Sequence, residues 1–390
     1  MTTAILITIC VLLLLAYVFD ISSALTKIPS VILLLLLGWG VKQTVDLLNI
    51  HIPDLAPLLP IFGTVGLILI VLEGSLELEL NQSKLAVIRK SSINALLPMF
   101  ALAFLLAFAF QYFFQVSYKM ALVNAIPFCV ISSAIAIPSV RNLSAFNKEF
   151  IIYESSLSDI FGVLFFNFIA LNQLISAQSF GNFGLQLLLI IVISFFSVLG
   201  LSFLLSRIKH HITFTPIILI VILIYAVSKV YHLPGLIFIL VFGLFLGNLD
   251  ELKRFTWIEK LRPEKLDLEV KKFKEITTEA TFLIRALFFL LFGFLMEAKE
   301  ILNPETLPWA AGIVLSVILV RWIALVFSKL PSSPLLFVAP RGLITILLFL
   351  AILPEQSISI VNKSLVIQAI ILSVLVMMLG LVTARKNETH

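Results

Sequence analysis

Three acids and three arginines stand in stretches that are otherwise apolar: Glu73, Glu154, Asp159, Arg285, Arg321 and Arg341. An ionisable side chain inside a membrane span is costly unless paired or solvated, so each one that persists is a candidate for function. The balance of acids and bases favours pairs or a shared cavity over contact with lipid. For any one of them, a buried ion pair that only fixes helix packing is the alternative. Clustering adds weight to a functional reading. In Tyr153-Glu-Ser-Ser-Leu-Ser-Asp-Ile-Phe-Gly162, Ser155 lies one helical turn before Asp159, and Glu154 one turn before Ser158. At about 1.5 Å per residue, Asp159 is roughly 13 Å in from Phe150, near the middle of a hydrocarbon core about 30 Å thick. A carboxylate among hydroxyls at that depth suits a proton or a hard monovalent cation, which takes oxygen ligands. The five histidines lie outside the apolar stretches or near their ends, and Cys10 and Cys129 sit inside them as small hydrophobes. Neither set offers a metal or disulfide framework.

Two further stretches, Ser132-Ser-Ala-Ile-Ala-Ile-Pro-Ser139 and Pro340-Arg-Gly-Leu-Ile-Thr345, place Pro, Gly and Ser at membrane depth. Such residues free backbone carbonyls and amides, which is tolerable where they line a site. A proline kink with a packing role alone is the other possibility for each. Interruptions at corresponding places in two halves of a chain are the best sequence pointer to a transporter site.

The elements that must position these groups are membrane helices. The chain has 390 residues, 61% of them hydrophobic and only 13% charged, which rules poorly for a water-soluble enzyme, a secreted disulfide scaffold, a disordered regulator or a nucleic-acid binder. A span needs about 20 apolar residues, and cutting the chain at charges and turn residues yields thirteen candidates, from about 4–19 to about 363–384. Among them, spans five, six, ten, eleven and twelve fall near 119–139, 150–172, 277–297, 307–328 and 334–353. Asp20, Ser22 and Ser23 read as a loop after the first span rather than a signal-peptide cleavage site. The net charge of +5 has a membrane explanation, since 19 Lys and Arg residues fall on one face and 5 on the other. By the positive-inside rule this puts the N-terminus outside and the C-terminus in the cytoplasm, with basic loops against anionic headgroups. Residues 250–276 form the one long connection, rich in both charge signs and carrying Trp257, Ile258, Leu261, Leu266, Leu268 and Phe273. It reads as an amphipathic interfacial helix linking two halves, or as a mobile charged linker. Spans five and twelve differ by seven, an odd offset that makes them antiparallel, as an inverted repeat of spans one to six on eight to thirteen requires.

With these residues in place, the chain resembles the monovalent cation/proton antiporters, most closely their NhaP-type sodium/proton branch. Leu72-Glu-Gly-Ser-Leu-Glu-Leu78 is similar to the family's third-span motif, Glu154-Ser-Ser-Leu-Ser-Asp159 to its sixth-span motif, Val320-Arg-Trp322 to the eleventh-span arginine and Ala339-Pro-Arg-Gly342 to its twelfth-span motif. The resemblance implies an all-α polytopic protein with about thirteen transmembrane helices, built as an inverted repeat with spans five and twelve broken and crossing. It implies a homodimer in which 1–92 and 184–297 form dimer or scaffold spans and 93–172 and 307–384 form the ion-translocating core, all within a single transporter domain spanning 1–390. It makes Asp159 the carboxylate shared by cation and proton, Ser155 a hydroxyl ligand, Glu73 an accessory acid and Arg321 the partner of Glu154. Ser132, Ser133 and Ser158 complete the expected cation environment. Arg341 is a rival partner for Glu154, and Arg285 is expected at the cavity wall, where its field acts on Asp159. This chain has Ser158 where the family usually has Asn, and Ser132-Ser133 where it often has Thr-Asp.

The expected activity is secondary active exchange of Na⁺, or another alkali cation such as Li⁺ or K⁺, for H⁺, with no cofactor and no enzymatic reaction. Potassium efflux and an ion or pH sensor that keeps the fold without transport are the alternatives. An intramembrane protease fits badly, for want of His-Glu-x-x-His or paired aspartates with Gly-x-Gly-Asp.

Overall fold

A computed structural model describes residues 2–26, 28–50, 52–78, 80–141, 143–172, 176–207, 214–231, 233–249 and 263–388. They fold into fifteen α-helices: α1 Thr2–Thr26, α2 Ser30–Leu47, α3 Leu58–Glu77, α4 Leu85–Phe114, α5 Tyr118–Ala125, α6 Ser133–Ser139, α7 Ala145–Leu171, α8 Ala177–Arg207, α9 Phe214–Val230, α10 Gly235–Gly247, α11 Pro263–Phe294, α12 Ala298–Ile301, α13 Leu307–Phe327, α14 Leu343–Leu350 and α15 Lys363–Glu388. No strand occurs among the described residues. Helices with internally satisfied backbones are what a hydrocarbon environment permits. Ten segments are long and apolar enough to cross a membrane, α9 and α10 are shorter apolar helices, and residues 334–350 supply one interrupted segment. This inventory is compatible with thirteen crossings.

Two expectations about boundaries are corrected. The first helix does not stop before Asp20 but runs through it to Thr26, because the Asp20 carboxylate finds partners that make its helical placement tolerable. The long connection does not contain a separate interfacial helix in its second half: residues 263–276 are the first turns of α11 and run without a break into its apolar part. Their Glu and Lys residues are good helix formers, so nothing local interrupts the helix. Residues 250–262, with Trp257, Ile258 and Leu261, lie outside the described residues.

The chain forms two compact units. The first comprises residues 1–64, 90–166 and 283–390. Within it α13 packs along α15, α1 along α2, and α14 against the 3₁₀ turn Ile126–Phe128 that follows α5. Gly38 of α2 and Gly293 of α11 each face the other helix's backbone so closely that a Cβ would overlap a carbonyl oxygen, Leu290 O for Gly38 and Leu35 O for Gly293. Small residues that let backbones touch are the usual device for helix association in lipid, where apolar surface alone gives no drive.

The second unit comprises residues 65–89 and 167–282, in which α10 packs on α8 and α9. Phe273 of α11 is fully buried there against Phe214 and Phe242. Asn248, just past α10, donates from Nδ2 to Leu78 O at 2.8 Å and Leu244 O at 2.7 Å while Leu80 N donates to its Oδ1, closing off the end of α3.

Candidate functional site

The site lies wholly within the first unit, where α7 meets two interrupted spans. Span five is helical as α5 and the turn at Ile126–Phe128, unwinds through 129–132 and resumes as α6. Pro127 lacks an N–H and forbids a regular continuation there. Span twelve has no regular secondary structure through 338–342 before α14 begins. The two unwound segments touch, with Ser132 N donating to Pro340 O at 2.9 Å. A Cβ at Gly342 would meet Ile135 Cδ1 at 2.5 Å and Ser132 Oγ at 2.8 Å, so glycine lets the two breaks approach this closely without displacing those side chains.

Against the break lies one face of α7. Glu154, Ser155, Ser156, Ser158 and Asp159 are all buried. Ser158 Oγ accepts a hydrogen bond from Ile131 N at 3.0 Å, so this hydroxyl caps an amide that the unwinding released. Ser133, first residue of α6, donates its hydroxyl to Asp159 Oδ2. Asp159 Oδ1 is buried and has no hydrogen-bond partner among the described residues. A carboxylate oxygen held out of water without a donor is energetically unfavourable, and a proton or a cation at that oxygen relieves the cost. The N-terminus of α6, with its partial positive charge, is at the side of Asp159 where Ser133 donates.

Glu154 lies on the same helix, five residues before Asp159. Arg321 of α13 meets it with two parallel bonds, Nη1 to Oε1 at 2.8 Å and Nη2 to Oε2 at 2.7 Å, and gives Nε to Leu335 O at 2.8 Å. Both side chains are buried. Such fork-to-fork geometry is the strongest arrangement open to arginine and carboxylate. Arg341 does not compete for Glu154. Its Nε donates to Phe128 O at 2.6 Å, its Nη1 to Ala339 O at 2.9 Å, and its backbone N to Ser373 Oγ of α15 at 2.9 Å. A guanidinium thus sits at the carbonyl end of the first half of span five, where the partial negative charge collects. Each broken end at the crossing consequently faces a group of opposite charge, Asp159 at the amide end and Arg341 at the carbonyl end.

The remaining candidates are placed differently. Ser155 donates to Ile151 O of its own helix at 2.7 Å, leaving only oxygen lone pairs for a ligand. Arg285 of α11 pairs with Asp20 of α1, Nη2 to Oδ1 at 3.7 Å. Glu73 is half-buried on α3 in the second unit. Among the described residues no cluster of three or more His, Cys, Asp and Glu could hold a resident metal ion. The oxygens grouped by the first unit are those of Asp159 and Ser133, with Ser158 and Ser132 beside the same break.

Reading the sequence alone missed Asn94 and Asp20. Asn94 of α4 donates from Nδ2 to Lys90 O and Ser328 Oγ, and its buried Oδ1 has no partner among the described residues. With Ser158, Cys129, Arg321 and Arg341 it lines a cavity of about 20 Å³, space for about one water. A polar residue inside the otherwise apolar run of α4 was the available signal.

A family model for the sodium/hydrogen exchanger, transmembrane, matches residues 9–385, nearly the whole chain. The chain belongs to the sodium/hydrogen exchanger family. It is an integral membrane protein of a transporter family. Among solved structures, it is similar to the sodium proton antiporter MjNhaP1 from Methanocaldococcus jannaschii at pH 8, with a TM-score of 0.72 and 18% identity over 97% of this chain and 100% of that one. A structure of the same archaeal antiporter from an electron-microscopy map aligns with a TM-score of 0.71 and 18% identity, covering 98% of this chain and 95% of that one. No curated protein sequence matches. The all-helical NhaP-like fold is thereby shared by this family member.

Proposed function

We propose that the protein exchanges Na⁺, or another alkali cation such as Li⁺ or K⁺, for H⁺ by alternating access, with Asp159 as the group that carries one or the other. The observation that carries this reading is the state of the Asp159 carboxylate, which is buried at the crossing of two interrupted spans with one oxygen on Ser133 and the other without a donor among the described residues. A single site that cannot remain charged and empty at low cost is the elementary requirement for coupled exchange, since crossing the membrane is easier with the site filled. Ser133 and the neighbouring Ser132 and Ser158 supply neutral oxygen, which suits an alkali ion. Glu154 and Arg321 hold α7 to α13 as one body, and Arg341 holds the two breaks together. Glu73 is an accessory acid, and Ser155 contributes a lone pair.

In this mechanism the core spans, 93–172 and 307–384, move against the scaffold spans, 1–92 and 184–297, exposing the site alternately. The protein works as a homodimer in a prokaryotic inner membrane, with the N-terminus outside and the C-terminus cytoplasmic. The test is dissipation of a preset pH gradient by purified protein in liposomes on addition of Na⁺, Li⁺ or K⁺. Dissipation by at least one of them is the expected result. Failure of all three, with folded protein, would favour the sensor reading.

A further inference from the structure

Asp20, a residue outside the carboxylate site, holds both a buried and a half-exposed arginine. Its Oδ1 lies 3.7 Å from Arg285 Nη2 of α11 and receives Ser30 Oγ of α2 at 3.5 Å, while its Oδ2 accepts from Arg141 Nη1 at 3.3 Å. The two arginines differ in kind. The Arg285 side chain is 9% exposed and the Arg141 side chain 51%. Loss of the first partner would strand a buried charge, whereas the second can be exchanged for water at small cost. Asp20 is therefore an anchor fixed from inside, with one releasable arm.

That arm reaches the site through α6. Arg141 follows the last turn of α6 by two residues, and Ser133, the first residue of the same helix, is the donor to Asp159. A helix of seven residues spans about 10 Å and behaves as a short rod, so a displacement at Arg141 is felt at Ser133. We propose that Asp20 is a positioning residue which, through Arg141, clamps the C-terminal end of α6 and thereby sets the alignment of Ser133 on the Asp159 carboxylate. Release of the Asp20–Arg141 contact frees α6 for the excursion that transport demands, and Asp20 keeps its place through Arg285 and Ser30. This inference rests on the exchange mechanism proposed above for its consequence in transport, but the clamp itself is a structural statement that stands without it.

Two measurements separate the two. Hydrogen–deuterium exchange over residues 133–141, read on wild type, Arg141→Gln, Arg141→Lys and Asp20→Asn, tests the clamp directly. Faster exchange in Arg141→Gln and Asp20→Asn, with Arg141→Lys close to wild type, is expected; unchanged exchange in Arg141→Gln would overturn the proposal whether or not the protein transports. In liposomes, Arg141→Gln is expected to shift the cation KM severalfold at nearly constant melting temperature, with Arg141→Lys restoring it. A KM equal to wild type in Arg141→Gln would remove the link to the carboxylate. An inactive wild type would instead overturn the exchange mechanism and leave the deuterium result to judge the clamp.

Discussion

Arg321 grips Glu154 through two bonds of 2.8 and 2.7 Å while its third nitrogen holds the carbonyl of Leu335, fourteen residues further along the chain. One guanidinium thus fastens α13 to α7 and to the segment leading into the interrupted span twelve. The pair is five residues from Asp159, yet all of its charge is committed to partners. It is suited to fixing the carboxylate helix rather than to exchanging ions.

Removing one member of such a pair leaves a buried charge alone, at a cost of about 3 to 5 kcal/mol. Glu154→Gln and Arg321→Met are each expected to lose folded yield and melting temperature in detergent. The double variant should be more stable than the sum of the two losses implies, because neither charge is then stranded. Strict additivity in a thermal-shift series would mean that the pairing contributes nothing.

The unpaired Asp159 oxygen points to a sharper outcome at the next site. Asp159→Asn preserves shape but removes the charge and the exchangeable proton, so cation-induced pH change in vesicles should vanish for Na⁺ and Li⁺ alike. Ser133→Ala should retain exchange with a cation KM raised severalfold, since the donor to Oδ2 and one neutral oxygen are lost while the carboxylate remains. Ser155→Ala should raise the cation KM modestly, since the hydroxyl proton is spent on Ile151 O within α7 and what is lost is the lone pair offered to the cation. Near-normal exchange by Asp159→Asn would displace this residue from the mechanism.

At the crossing, Arg341→Met should destabilise the fold more than a surface change does. It withdraws donors from Phe128 O and Ala339 O, and a buried polar group left unsatisfied costs about 1 to 3 kcal/mol. Gly342→Ala forces its new methyl onto Ile135 and Ser132, with an overpacking cost of about 1 to 3 kcal/mol. Both are read as melting temperature against wild type, and an unchanged value in either would argue against a tight crossing.

The interruptions in spans five and twelve were legible because proline and glycine at membrane depth have a direct backbone consequence, and that buried charges would be paired followed from a medium that punishes solitary ones, whereas the choice of Arg321 for Glu154 came from the resemblance to the antiporter family. The role of Arg341 was not legible. Its partners are main-chain carbonyls, which every residue carries and no residue type announces. The continuation of α1 through Asp20 was hidden for a similar reason: a carboxylate ends a span in sequence, but in the structure Arg285 and Arg141 make it compatible with one. Residues 263–276 misled in the opposite direction, since alternating charges mark a solvated helix without showing that it runs on into an apolar one.

Electroneutral exchange, one cation for one proton, is the stoichiometry expected of this site. Asp159 is the acid on α7 with a free oxygen at the break; its neighbour at 158 is a serine bound to Ile131 N, and position 133 is a serine whose hydroxyl is donated to Asp159. Neither serine can carry a second proton across. Glu154 is neutralised by Arg321, so it has no reason to load and unload during the cycle. A lone carboxylate that is filled by H⁺ in one direction and by a monovalent cation in the other moves equal charge both ways, and the rate should be nearly indifferent to membrane potential. Glu73, half-buried on α3, is the group that could break this balance if it took up a proton in step with Asp159. The check is Na⁺-driven pH change in liposomes under a valinomycin/K⁺ potential of either sign. Equal rates are expected. A marked acceleration under one sign and slowing under the other would show net charge movement, and Glu73→Gln should then restore equality.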